Sequence, residues 1–155
     1  SIPSLPGTEK EINQLHFMLK QKGWAADEYV EQNASEEKVK ELNNPKIFHI
    51  ATHGFYRPSE DVTMEQQLEG NEALLTQNPL LRTGLLLKGA GDLLDKTSYN
   101  YNMDNGILTA YEAMSLNLDK TDLVVLSACE TGLGELQSGE GVYGLQGAFL
   151  VAGAK

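Results

Sequence analysis

Cysteine, positive charge and long apolar runs are all scarce in this chain, and each shortage narrows the possibilities. One cysteine in 155 residues cannot close an internal disulfide, which points to a reducing compartment. Lysine and arginine number 12 against 22 aspartates and glutamates, a formal net charge of −10. That balance works against the phosphate-neutralising face of a nucleic-acid binder and favours basic or neutral proteins as partners. No apolar stretch approaches the ~20 residues that span a bilayer. Ser1 to Gly7 carries neither the basic flank nor the apolar core of a secretory signal. The expectation is a cytoplasmic protein with no nucleic-acid partner and no membrane partner.

Hydrophobic residues at 41% and charged residues at 22% are ordinary globular usage, and the length suits one domain over 1–155. Thr8 and Glu11 have the spacing of a capping box, opening a helix with Ile12, Leu15 and Leu19 on one stripe and Gly23 at its end. A short strand is expected over 24–30. A second helix follows over 35–42, with Val39 and Leu42 inward, and then a buried strand over 46–52. Residues 57–79 read as polar loop with a short helix, a flap or a family insertion, and 89–106 as a long loop, with the turn signal Asp104-Asn105-Gly106. A strand at 84–88 lies between them. Thr109 is placed to cap a short helix through Met114, and 122–128 reads as a central strand. A last helix covers 141–153. Helices alternating with buried strands indicate an α/β layered fold with a mostly parallel central sheet flanked by helices.

Two segments carry the chemistry. Phe48-His49-Ile50-Ala51-Thr52-His53-Gly54 and Leu123-Val124-Val125-Leu126-Ser127-Ala128-Cys129-Glu130-Thr131-Gly132 each run apolar, then stop at a reactive side chain followed by small residues. Parallel strands would release His53 and Cys129 at one carboxyl edge, where α/β sheets place their sites. An imidazole beside a thiol removes the limit set by a free pKa of ~8.5, taking the proton and returning it to the leaving group. Small residues at Gly54 and after Cys129 leave amides available to an oxyanion. A lone cysteine after Val-Val-Leu also fits a small buried hydrophobe, and residue types alone leave both readings standing. His49 falls inside its strand and reads as structural, and His16 as a boundary residue of the first helix.

Other chemistries fit less well. Gly139-Glu140-Gly141-Val142-Tyr143-Gly144 matches the dinucleotide pattern, but it does not follow its strand directly, and Glu130, Glu135 and Glu140 would repel a pyrophosphate. His49 and His53 are too far apart on a strand to share a metal, and no cysteine cluster assists them.

Ala51-Thr52-His53-Gly54, residues 85–90, Asp104-Asn105-Gly106-Ile107-Leu108-Thr109-Ala110, the Leu126 to Gly132 block and Ser138-Gly139-Glu140-Gly141-Val142-Tyr143-Gly144-Leu145 occur in this order. They resemble the CHAT domain, a caspase-like family related to separase and often fused to tetratricopeptide repeats. The resemblance runs from about Leu5 to Lys155. It implies a caspase-haemoglobinase fold and a cysteine endopeptidase that acts on a protein substrate by limited proteolysis without a cofactor. A non-catalytic caspase-like scaffold is the alternative. Carried across, Cys129 is the nucleophile and His53 the base and acid, with the Gly54 and Cys129 amides as oxyanion hole. Asp104 and Glu140 are candidates for orienting a basic or extended peptide. A tetratricopeptide or other regulatory region is an expected partner. The interval from His53 to Cys129 exceeds the ~50 residues of caspases, and no arginine-based aspartate pocket is evident. Family members continue past Ala152-Gly153-Ala154-Lys155 with a further strand and an acidic segment, so the chain is expected to lack the C-terminal part of the fold.

Overall fold

Pro6 opens the first helix where a missing amide costs nothing, and α1 spans Pro6–Gln21. The structure, a computed structural model, describes residues 5–56, 78–91, 106–129 and 140–155, with 128, 129 and 140–142 described by backbone alone. The proline starts the helix ahead of Thr8, so the expected Thr8–Glu11 capping box does not form. Leu5 is the N-cap and contributes no side-chain bond, the Thr8 hydroxyl donates to the Leu5 carbonyl at 2.7 Å, and Glu11 turns to the sheet. The far end follows the sequence. Gly23 sits at φ +80°, its amide donates to Lys20 and the Trp24 amide to Leu19, both at 3.0 Å. These are the paired bonds of a glycine-terminated helix.

The strand expected over 24–30 is absent. That segment has no ladder partner among the described residues and is fastened instead by His16, whose Nδ1 lies 3.0 Å from Glu28 Oε2 and whose Nε2 lies 3.1 Å from the Ala26 carbonyl. After a 3₁₀ turn at Glu31–Asn33, Ser35 caps α2 (Glu36–Lys40) by accepting from the Lys38 amide at 3.3 Å. Val39 of this helix packs against the core, as its spacing predicts.

Four strands form one sheet: β1 (Ile47–Tyr56), β2 (Thr83–Leu86), β3 (Ile107–Thr109) and β4 (Leu123–Cys129). Their order is β3-β2-β1-β4. β1 and β4 run parallel, whereas β2 joins β1 and β3 joins β2 antiparallel. The α/β layered class is as expected, but among the described strands the single parallel pair is the one bearing His53 and Cys129. The reason is the length of β1. It continues past Thr52 to Tyr56, and residues 53–56 of this extension pair with β2. β4, expected at the centre, stands at one end of the described order with β1 as its neighbour.

Thr109 ends β3 and caps α3 (Ala110–Ala113) through a complete capping box: its hydroxyl accepts from the Glu112 amide at 3.2 Å, and its own amide donates to Glu112 Oε2 at 3.0 Å. Thr109→Ala is expected to cost about 1 kcal/mol, read as a lowered denaturation midpoint at unchanged slope. The last helix, α4, spans Glu140–Val151. Of the expected polar flap and long loop, residues 57–77 and 92–105 lie outside the described residues.

Adjacent strand residues face opposite sides of a sheet, and that rule sorts the layers. Phe48 meets Phe149 of α4 edge-to-face, with ring centroids 6.2 Å apart, while the next residue, His49, bonds to Glu11 of α1 at 2.8 Å. The two helices therefore cover opposite faces. On the α4 side the core gathers Ile50, Leu85, Leu108, Ala110, Ala113, Leu116 and Leu118 under Leu145, Ala148, Phe149 and Ala152. Leu145, Ala148 and Phe149 have the spacing of one stripe of α4, and Ala152 follows directly after the helix. On the other side Leu86, Ile107 and Ala90 cluster with Phe55.

Candidate active site

The register fixes the backbone of the expected dyad. β1 and β4 pair residue for residue from Ile47 with Leu123 to His53 with Cys129. His53 and Cys129 are thus the last partners of the parallel pair, on strands whose axes lie ~4.8 Å apart. Antiparallel pairing then takes over on the other side, with His53 opposite Leu86 and Leu86 opposite Ile107. Position 53 therefore lies inside a row that runs Ile107, Leu86, His53, Cys129 across the sheet.

That row explains the burial of the imidazole. Cross-strand partners share a face, so His53 stands on the side where Leu86 and Ile107 cluster, and it is 6% exposed. The Thr52 hydroxyl, on the opposite face, donates to the Leu86 carbonyl and ties β1 to β2 one residue before the row.

One expectation about this end of β1 is corrected. His53 does not close its strand, and Gly54 does not begin a loop. Gly54 pairs with Leu85 inside the β1–β2 ladder, because β2 supplies partners to every residue from His53 to Tyr56. Cys129, in contrast, is the last residue of β4. Of the residues expected to orient a peptide, Asp104 lies outside the described residues, and Glu140 is the first residue of α4. The structure makes the backbones of His53 and Cys129 direct register partners, with Gly54 next to His53.

Polar residues beneath the row were not anticipated as part of this region. Glu11 of α1 accepts from His49 Nε2 at 2.8 Å and from the Ser127 hydroxyl at 3.0 Å. His49 belongs to β1 and Ser127 to β4, so one carboxylate touches both strands. The signal was present in the sequence: Glu11, Leu15 and Leu19 share an i, i+4 stripe, and a carboxylate on an inward stripe requires a polar partner.

A buried carboxylate lies at the base of the 89–106 loop. Glu36 is 2% exposed. Its Oε2 accepts from the Gly106 amide at 2.9 Å, and Lys40 Nζ stands 2.6 Å from Oε1. Lys40 also reaches Glu112 at 3.2 Å, which links α2 to α3. Among the described residues no group of histidine, cysteine, aspartate and glutamate side chains is placed to hold a metal, and no helix is long and apolar enough to cross a membrane.

No curated protein and no solved structure matches the chain. The family model of the CHAT domain matches residues 1–155, the whole sequence including both strands of the His53–Cys129 row. The chain therefore belongs to the CHAT domain family, a caspase-like, peptidase-related family.

Proposed function

We propose that this chain is a cysteine endopeptidase domain that cleaves a protein substrate with Cys129 as nucleophile and His53 as base and acid. The observation that carries the reading is the register: His53 and Cys129 are direct partners at the end of the one parallel pair among the described strands. A His53 ring nitrogen takes the thiol proton, and the thiolate attacks the scissile carbonyl carbon. The oxyanion that forms is held by backbone amides, with Gly54 and Cys129 as the candidates. Collapse breaks the C–N bond, and the imidazolium returns its proton to the departing amine. Water then hydrolyses the thioester, with His53 again as base, and regenerates the thiol.

A non-catalytic scaffold is the second reading. What favours it is the 6% exposure of His53 within a strand that continues on both sides of it.

One experiment separates them: the rate of Cys129 alkylation by iodoacetamide as a function of pH, in the native chain and in His53→Ala. A working pair keeps the thiol reactive well below the ordinary cysteine range. His53→Ala is then expected to slow alkylation at pH 6.5 by about tenfold or more and to leave one transition near pH 8.5. An identical profile in both proteins would rule out the dyad.

A further inference from the structure

We infer that Glu11 is a positioning residue for the His53–Cys129 pair, acting by stitching β1 to β4 immediately beneath it. This inference rests on the peptidase reading and adds to it a residue from a separate helix.

The argument begins with how weakly α1 is otherwise attached. None of its residues is fully buried, and Phe17 and Met18 point to solvent at 65% and 50% exposure. Along β1 the strip it covers is largely polar, with only Ala51 between His49 and His53. A helix on such a face is held by specific polar contacts, and Glu11 supplies two of them. Each carboxylate oxygen has one donor: Oε1 takes His49 Nε2 and Oε2 takes the Ser127 hydroxyl. Bonds to an ionised acceptor are roughly twice as strong as neutral ones.

The location of those donors gives the clamp its consequence. Ser127 is the register partner of Ala51, so it stands two residues before Cys129, just as Ala51 stands two residues before His53. His49 pairs with Val125 one step further down the same face. Parallel pairs are slightly weaker per residue than antiparallel ones, and β4 has β1 as its neighbour among the described strands. The end of β4 is therefore where the two backbones separate most easily. A carboxylate bound to both strands opposes that separation at the last step before the dyad, and a misplacement of ~1 Å at a reacting pair costs on the order of a hundredfold.

The conservative variant tests bridging. In Glu11→Gln the amide oxygen still accepts from His49, and the amide nitrogen donates to a rotated Ser127 hydroxyl, so the bridge survives without the charge. Glu11→Ala removes both arms. Ser127→Ala removes only the β4 arm and leaves the helix tied to β1.

The experiment is the iodoacetamide pH profile of Cys129 in the native chain and in Glu11→Ala, Ser127→Ala, Glu11→Gln and His53→Ala, with the thermal midpoint of each recorded. At pH 6.5 Glu11→Ala is expected to be slowed on the order of tenfold, Ser127→Ala severalfold, and Glu11→Gln to stay within about twofold of native. Ser127→Ala and Glu11→Gln carry the test where Glu11→Ala does not fold. A native profile that depends on His53 yet is unchanged in Ser127→Ala overturns the positioning role alone. A profile indifferent to His53→Ala overturns the peptidase reading, and the inference with it. Slowing in Glu11→Gln equal to that in Glu11→Ala would assign the effect to charge and overturn the clamp.

Discussion

Cys129→Ala is expected to lower peptide-bond cleavage by a factor on the order of 10⁴ to 10⁶ while shifting stability by about 1 kcal/mol or less. The two effects separate because the substitution removes a single sulfur atom from the last residue of β4 and leaves the ladder to β1 intact. The loss on the chemical side is nearly complete because the chain has no second cysteine to replace the thiol. Ser127 stands two residues earlier and already donates its hydroxyl to Glu11. The measurement is turnover of an unbiased fluorogenic peptide library by both proteins, alongside urea denaturation. Native-like cleavage by the variant would remove Cys129 from the mechanism. A native chain that hydrolyses no member of the library would remove the peptidase reading.

Gly106→Ala carries the largest expected effect on stability. Gly106 sits at φ +84°, where a side chain costs roughly 1–2 kcal/mol. A Cβ there would fall on the Lys88 carbonyl oxygen and the Ala90 amide nitrogen, both backbone atoms with no rotamer to move, which adds roughly 1–3 kcal/mol of overpacking. The position is also tied on both sides. Its amide donates to Glu36, and its carbonyl accepts from the Leu87 amide at 2.6 Å, so relief by backbone movement breaks one or both bonds. The sum, about 2–5 kcal/mol, is a large share of the 5–15 kcal/mol typical of a whole domain. Urea denaturation reads it as a lowered midpoint at unchanged slope. A change below about 1 kcal/mol would contradict the close packing of Gly106 against residues 88–90.

The same residue shows why a turn signal is not a full description. Asp104-Asn105-Gly106 marks a reversal, and Gly106 adopts the left-handed conformation that signal implies. Glu36 as the acceptor for its amide has no local signature, because the two residues meet only through the fold.

Local chemistry determined most of the elements by itself. Thr109 and Glu112 form the capping box that their spacing encodes, Gly23 closes α1, Ser35 caps α2, and the apolar runs at 47–52 and 123–128 became the parallel pair. The family was also legible in the sequence, and the CHAT model matches residues 1–155. Tertiary structure decided what depended on partners distant in sequence. The β1 strand outran its apolar run because β2 offered it a ladder, which turned His53 from a strand end into a strand interior. Residues 24–30 form no strand because no neighbour among the described residues supplied a ladder and His16 held them elsewhere. Glu11 left its expected cap because Pro6 had already started the helix, and it became available to His49 and Ser127. Helix caps and turns act over a few residues and are written in order along the chain. Strand pairing and buried carboxylates are settled by which distant groups arrive within hydrogen-bonding reach.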